Sequence, residues 1–224
     1  MADAKAVHIT RLIAIPAVIT LAVTILRLVG ELKHWPTPWF STSAGGGGAI
    51  VGISWLPIVF GPYFALKLAA AGHKPASSGK AIGFAFLGLL AYFVAGVLVA
   101  LTMKHLSPLT LVAFSLLLFA AFVPLFGWPT LTRALLAYAL AARIPVLIVM
   151  YYAISGNGRA GWGTHYDAMD PRLAQLSFGW KYLYSAILPQ LTAWIGWTVI
   201  IGAILGTVIA AIVYRGKPAA SAAE

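Results

Sequence analysis

The sequence predicts an all-α fold, a polytopic integral membrane helical bundle of about six transmembrane helices, and three observations carry that expectation. Hydrophobic residues make up 61% of the 224-residue chain and charged residues only 9%, against about a quarter charged in a soluble domain. That leaves too little polar surface to coat a water-soluble body. The apolar residues gather into runs of about 20, the length that a helix rising about 1.5 Å per residue needs to cross about 30 Å of hydrocarbon. The third observation is charge placement: fifteen Lys and Arg against five acids give a net charge of +10, but the cations stand singly between apolar runs. This spacing suits loops beside anionic lipid and argues against a nucleic-acid-binding face. Cysteine is absent, which excludes disulfides, thiolate metal sites and a thiol nucleophile.

The first predicted span covers residues 8–29. Arg11 and Arg27 bound its apolar stretch and are expected to snorkel towards headgroups, and Pro16 is a candidate kink. No small-x-small cleavage site precedes GELKHW, so the run reads as a retained span and not a removable signal. The second, 49–71, holds Pro57, Gly61 and Pro62 and is the most broken, with freed carbonyls that must find partners inside the bundle. The third, 81–103, is uninterrupted. Ser107 and Pro108 turn the chain into the fourth, 109–126, as an antiparallel hairpin ended by Pro124, Gly127 and Pro129. The fifth, 130–154, carries Arg133 at its start, Arg143 near its middle and Pro145 just after. The apolar run from Leu183 is too long for one perpendicular span, so Pro189 is expected to divide an interfacial piece, 173–188, from a sixth span over 190–214.

Residues 1–216 therefore read as a single transmembrane domain, followed by a small, polar, disordered tail over 217–224. An even number of spans puts both termini on one side. A slight excess of Lys and Arg there favours the cytoplasm, with the two longest loops, 30–48 and 155–182, together on the opposite face.

Those loops hold most of the candidate binding residues. The first, GELKHWPTPWFSTSAGGGG, presents Glu31, His34 and Trp35; its glycine run lacks the Lys-Ser/Thr of a phosphate loop. The second, SGNGRAGWGTHYDAMDPR, presents Arg159, Trp162, His165, Tyr166, Asp167 and Asp170 among glycines that permit tight turns. Tryptophans here suit an interfacial belt and the loop suits a cap on the bundle mouth. His165, Asp167, Asp170 and His34 also offer nitrogen and oxygen ligands for a divalent metal, or a His–carboxylate pair for general base work. Their spacing matches no zinc pattern such as HExxH, so a metal is the weaker reading.

Arg143 is the sharpest feature. An arginine at a helix centre costs about 2.5–3.5 kcal/mol on insertion, so it should face the interior, pair, or line a wet cavity. Of the five acids, Asp3 and Glu224 lie in the tails, leaving Glu31, Asp167 and Asp170 as candidate partners. Carbonyls freed by Pro57, Pro62 or Pro145 are the alternative. Arg27 and Glu31, four apart, read as a local ion pair that leaves Glu31 less available to Arg143. The planar fork of Arg143 equally suits a ligand carboxylate or phosphate.

No span has the central histidine that bis-His haem b needs, nor a mid-span lysine for a retinal Schiff base, so no cofactor is predicted. Gly202 and Gly206, with Gly96 and Ala100, read as close helix packing within the bundle or against a partner. The expected function is that of a non-enzymatic membrane protein, either an accessory or structural subunit of a membrane complex or a binder of a small or lipidic ligand. Its partners would be the lipid bilayer and other membrane subunits or a second copy, with no nucleic acid. The alternative is a small transporter or channel for an anionic or polar solute using Arg143. A membrane-embedded enzyme using His34, His165 and Asp167 comes third.

Overall fold

A computed structural model describes residues 6–45, 48–156 and 161–215; Arg159 and the predicted tail 217–224 lie outside them. The described residues form helices and connecting turns, and five helices are long and apolar enough to cross a membrane. The protein is an all-α multi-pass membrane bundle.

Helix α1, Ile9–Leu32, is turned inside out relative to an amphipathic helix of a soluble protein. Its buried positions are Pro16, Thr20, Thr24, Arg27, Gly30 and Glu31, one face at helical spacing, while Ile15, Val18, Ile25 and Leu26 stay exposed. Lipid is as apolar as leucine, so the small and polar residues are the ones that gain from facing another helix. That helix is α5, Pro129–Ser155, which packs along α1. The Thr20 hydroxyl donates to the Pro16 carbonyl at 2.8 Å and lies 2.8 Å from the Tyr138 hydroxyl on α5.

The second predicted span begins later than its hydropathy implies. Helix α2 is Leu56–Ala70, about 22 Å long at about 1.5 Å per residue and so short of the hydrocarbon thickness. The glycines at 48 and 52 and the restriction that Pro57 places on its predecessor keep residues 48–55 irregular. Two indoles satisfy the carbonyls this leaves: Trp55 Nε1 donates to Ile50 at 3.2 Å and Trp197 Nε1 to Ser54 at 2.8 Å.

Helix α3, Ser78–Thr102, is capped by the Ser77 hydroxyl, which accepts from the Lys80 N–H. Helix α4, Pro108–Ala120, returns beside it and ends in a 3-10 turn, Val123–Phe126, at Pro124. A short α6, Pro171–Ala174, leads to α7, Phe178–Val213.

Helix α7 overturns the expected division at Pro189. It runs unbroken for 36 residues, about 54 Å at about 1.5 Å per residue, so it is longer than the hydrocarbon is thick. A proline lacks the N–H for a helical bond and its ring crowds the preceding turn. Here two widened π turns, Leu183–Ile187 and Pro189–Ala193, flank and contain Pro189 in place of a break. The Thr192 hydroxyl donates to Leu188 at 2.6 Å and the Tyr92 hydroxyl of α3 to Ala193 at 3.0 Å, taking up carbonyls in that stretch.

The main core lies where α2, α5 and α7 meet. Phe60 and Phe64 each meet Tyr138 edge to face at 5.4 Å, beside Leu131, Leu135 and Val199. Gly61 faces Gly202 so closely that a Cβ on Gly61 would overlap the Gly202 backbone, and one on Gly202 would strike Leu135. The small residues at 202 and 206 thus serve contacts inside the bundle, whereas a Cβ on Gly96 would meet open space.

Candidate functional site: a cationic cavity under a loop cap

The loop before α6 docks on the end of α1 through one carboxylate. Glu31, fully buried, accepts from Arg27 Nε at 2.7 Å, from the His165 backbone N–H at 2.8 Å and from His165 Nδ1 at 2.6 Å. Because a carboxylate only accepts, the imidazole presents Nδ1–H to it. Arg27 also donates to the Ser41 carbonyl at 3.1 Å, so one buried pair ties both long loops to the same helix end. Arg27 does not snorkel outward as expected; it is 6% exposed, because Glu31 one turn on offers it an ionic partner inside. The predicted Arg27–Glu31 ion pair is present, but buried.

Tyr166 completes the docking, its hydroxyl donating to the Thr24 carbonyl at 3.2 Å. Burial pushes the Tyr166 phenol well above its ordinary value and holds the His165 imidazole below its own, against the opposing pull of Glu31. Asp167 stays within its loop, accepting from the Gly163 and Thr164 N–H groups and the Thr164 hydroxyl at 2.9, 2.8 and 2.7 Å. Asp170 caps α6 and takes both ends of the Arg172 guanidinium, which holds its carboxyl down at about 2. Arg172 in turn donates to the Lys104 carbonyl at 3.1 Å, fastening the cap to the end of α3.

Beneath this cap lies a cavity of about 260 Å³ that reaches from Arg27, His165, Tyr166 and Asp170 down to Arg143 on α5 and Gln190 and Trp194 on α7. Arg143 is 4% exposed. Its Nη1 donates to Gln190 Oε1 at a long 3.4 Å, its guanidinium centre sits 4.9 Å over the Trp194 ring, and its Nε has no hydrogen-bond partner. The expected partners were an acid or a proline-freed carbonyl. Among the described residues no carboxylate pairs with it: Glu31 is spent on Arg27 and His165, Asp167 on its own loop, Asp170 on Arg172. A neutral amide and an indole face stand there instead.

Of the candidate residues, Arg143, His165, Tyr166 and Asp170 line this one cavity, and Glu31 and Asp167 shape its roof from behind. His34 and Trp35 stand apart, exposed at the turn after α1, with Trp35 edge-on to Phe40 at 5.1 Å; Trp162 is also exposed. No three His, Asp or Glu side chains among the described residues lie together as a metal site would require. Sequence reasoning missed Gln190 and Trp194. The available signal was Gln190 itself, an amide inside an apolar run, with Trp194 one turn on.

Fold and site together define the class: a multi-pass helical membrane protein whose loop cap closes over a cavity bearing an arginine with no carboxylate partner among the described residues. No family model matches the chain, and neither a curated protein nor a solved structure shows significant similarity to it.

Proposed function

We propose that this protein is a binder of a small organic anion, a carboxylate or phosphate, held in the capped cavity with Arg143 as the recognising cation. The observation that carries this is the buried Arg143 guanidinium lining the cavity, with its Nε unpartnered and no acid paired with it among the described residues. A buried charge without its counter-ion is strongly destabilising, so its retention points to a partner outside the chain. The other charges lining the cavity are balanced within the protein, Arg27 by Glu31 and Asp170 by Arg172, and the roof carboxylate of Asp167 is held by N–H and hydroxyl donors of its own loop. An incoming anion would neutralise Arg143 and displace the long bond to Gln190. The planar guanidinium suits either oxyanion, and the apolar remainder of the wall, with Val146, Met150 and Trp194, suits an organic one.

The test is calorimetric titration of the purified protein in nanodiscs with butyrate and with phenyl phosphate, beside Arg143→Gln. A charge-assisted hydrogen bond contributes about 1.5–3 kcal/mol, so the variant is expected to bind about tenfold to a hundredfold more weakly. Equal binding by both proteins would overturn the proposal.

Transport of such an anion is a second reading, favoured by the irregular backbone beside the cavity. Ile53 and Ser54, ahead of the short α2, and Gln190, within a π turn, all line it. Non-helical backbone at membrane depth is tolerated where it lines a cavity, and broken helices build transporter sites. Arg143-dependent butyrate uptake into proteoliposomes is its test. In this reading both termini are cytoplasmic and the cap lies on the opposite face, which protease protection of terminally tagged protein in oriented vesicles checks.

A further inference from the structure

We infer that the anion taken at Arg143 is the carboxylate of a single-chain fatty acid, whose hydrocarbon tail lies in a groove on the lipid-facing flank of the bundle. This inference rests on the anion-binding reading of the cavity and specifies its ligand. The groove, of about 550 Å³, is lined by Trp55, Ile58, Tyr92, Trp194 and Trp197, and it shares Ser54 and Trp194 with the capped cavity. Trp194 is thus a common wall: its ring carries the Arg143 guanidinium and also borders the groove.

Depth and chemistry say what fills it. Tyr92 is near the middle of α3, so the groove opens at the level of acyl chains and not of water. Three of its four aromatic polar atoms are already engaged with the protein: Trp55 Nε1 with Ile50, Trp197 Nε1 with Ser54, Tyr92 hydroxyl with Ala193. What remains for an occupant is chiefly ring face and the side chain of Ile58, which is 50% exposed. Hydrocarbon matches that surface.

Charge then selects the head. Arg143 supplies a single positive charge without a counter-ion among the described residues, and Arg27, which also lines the cavity, already holds Glu31. A monoanion is neutralised there, whereas a phosphate monoester, close to dianionic at neutral pH, would leave a buried negative charge unmet. One groove that shares Ser54 and Trp194 with one cationic cavity accommodates one chain. A carboxylate with a single tail satisfies all three conditions.

The experiment titrates the full chain in phosphatidylcholine nanodiscs with palmitate, butyrate and methyl palmitate, using the wild type, Arg143→Gln and Ile58→Trp. Ile58 is half exposed, so the larger ring fills the groove without entering the core. Palmitate is expected to bind at least tenfold more tightly than butyrate, and methyl palmitate not measurably. Arg143→Gln should weaken both acids about tenfold to a hundredfold, while Ile58→Trp should weaken palmitate about tenfold and leave butyrate unchanged. If butyrate binds through Arg143 but palmitate gains nothing and Ile58→Trp is inert, the tail assignment falls while the anion site stands. If neither acid binds the wild type, both fall. Displacement of palmitate by equimolar two-chain phosphatidic acid would overturn the single-chain assignment in favour of a bilayer phospholipid.

Discussion

Glu31 and His165, 134 residues apart in sequence, meet in a two-point contact in which one carboxylate receives both the backbone N–H and the ring Nδ1–H of the histidine. The same carboxylate neutralises Arg27. The cap over the cavity is therefore held by the counter-ion of a buried arginine, and its attachment and the ionic balance of α1 stand or fall together.

Glu31→Ala should consequently do two kinds of damage. It strands Arg27 in the interior, a loss of about 3–5 kcal/mol for a broken buried pair, and it releases the cap. A large drop in thermal unfolding temperature together with faster amide exchange over residues 161–176 is the expected result. Unchanged exchange there would show that Tyr166 and Arg172 hold the cap unaided.

The attachment should also weaken in acid. Burial holds the His165 imidazole below its ordinary value of about 6.5, with Glu31, Arg27 and Asp167 as the charges that face it. The detached histidine therefore binds a proton at higher pH than the docked one, and the detached state carries more protons throughout that window. Stability is then complete above about pH 6.5 and is lost as pH falls towards the depressed value. Protection from amide exchange over 161–170, corrected for the intrinsic exchange rate at each pH, should fall from about pH 7.5 to about pH 5.5 in the wild type. It should stay flat in His165→Asn, whose amide N–H can still donate to Glu31; a similar loss of protection in that variant would assign the effect elsewhere.

Arg143 separates stability from binding. Replacing a whole buried ion pair by apolar side chains of similar volume is often neutral or stabilising, by about 1–4 kcal/mol, and a buried charge without a full partner has less favourable interaction to lose. Arg143→Met is expected to unfold at the same or a higher temperature than the wild type while binding no butyrate. A strongly destabilised Arg143→Met would mean that the Gln190 and Trp194 contacts make the arginine a structural element.

The glycines of the α2–α7 crossing predict a contrast that needs no ligand. A Cβ at Gly61 would overlap the Gly202 backbone, which cannot rotate away as a side chain can. Gly61→Ala should therefore cost about 1–3 kcal/mol as overpacking. Gly96→Ala, with open space at its Cβ, should leave the unfolding temperature unchanged or slightly raised, because alanine is the better helix former. Equal effects would refute the close crossing.

Much of the membrane architecture is legible in the sequence because it depends on a one-dimensional quantity, the length of each apolar run. The positions of α1, α3, α4 and α5 follow from that, and so does the Arg27–Glu31 pair, which is local to one helix. Where backbone chemistry competes with hydropathy, the reading fails: residues 48–55 are apolar enough to belong to a span but glycine and Pro57 keep them irregular, and Pro189 does not break α7 because π turns absorb it.

The site divides along the same line. Sequence alone determined that a multi-pass helical bundle carries one arginine deep in a span with few acids to answer it, since composition and position suffice for that. Only the tertiary structure decided that each loop acid is committed elsewhere, that Arg143 faces Gln190 and Trp194 from another helix, and that its cavity extends to His165 and Tyr166 under the cap. These are contacts between residues tens of positions apart, fixed by how helices cross, and side-chain pairing over such separations leaves no periodic trace in the chain. What sequence presented as an intramembrane charge and a separate glycine-rich loop are, in space, the floor and the roof of one cavity.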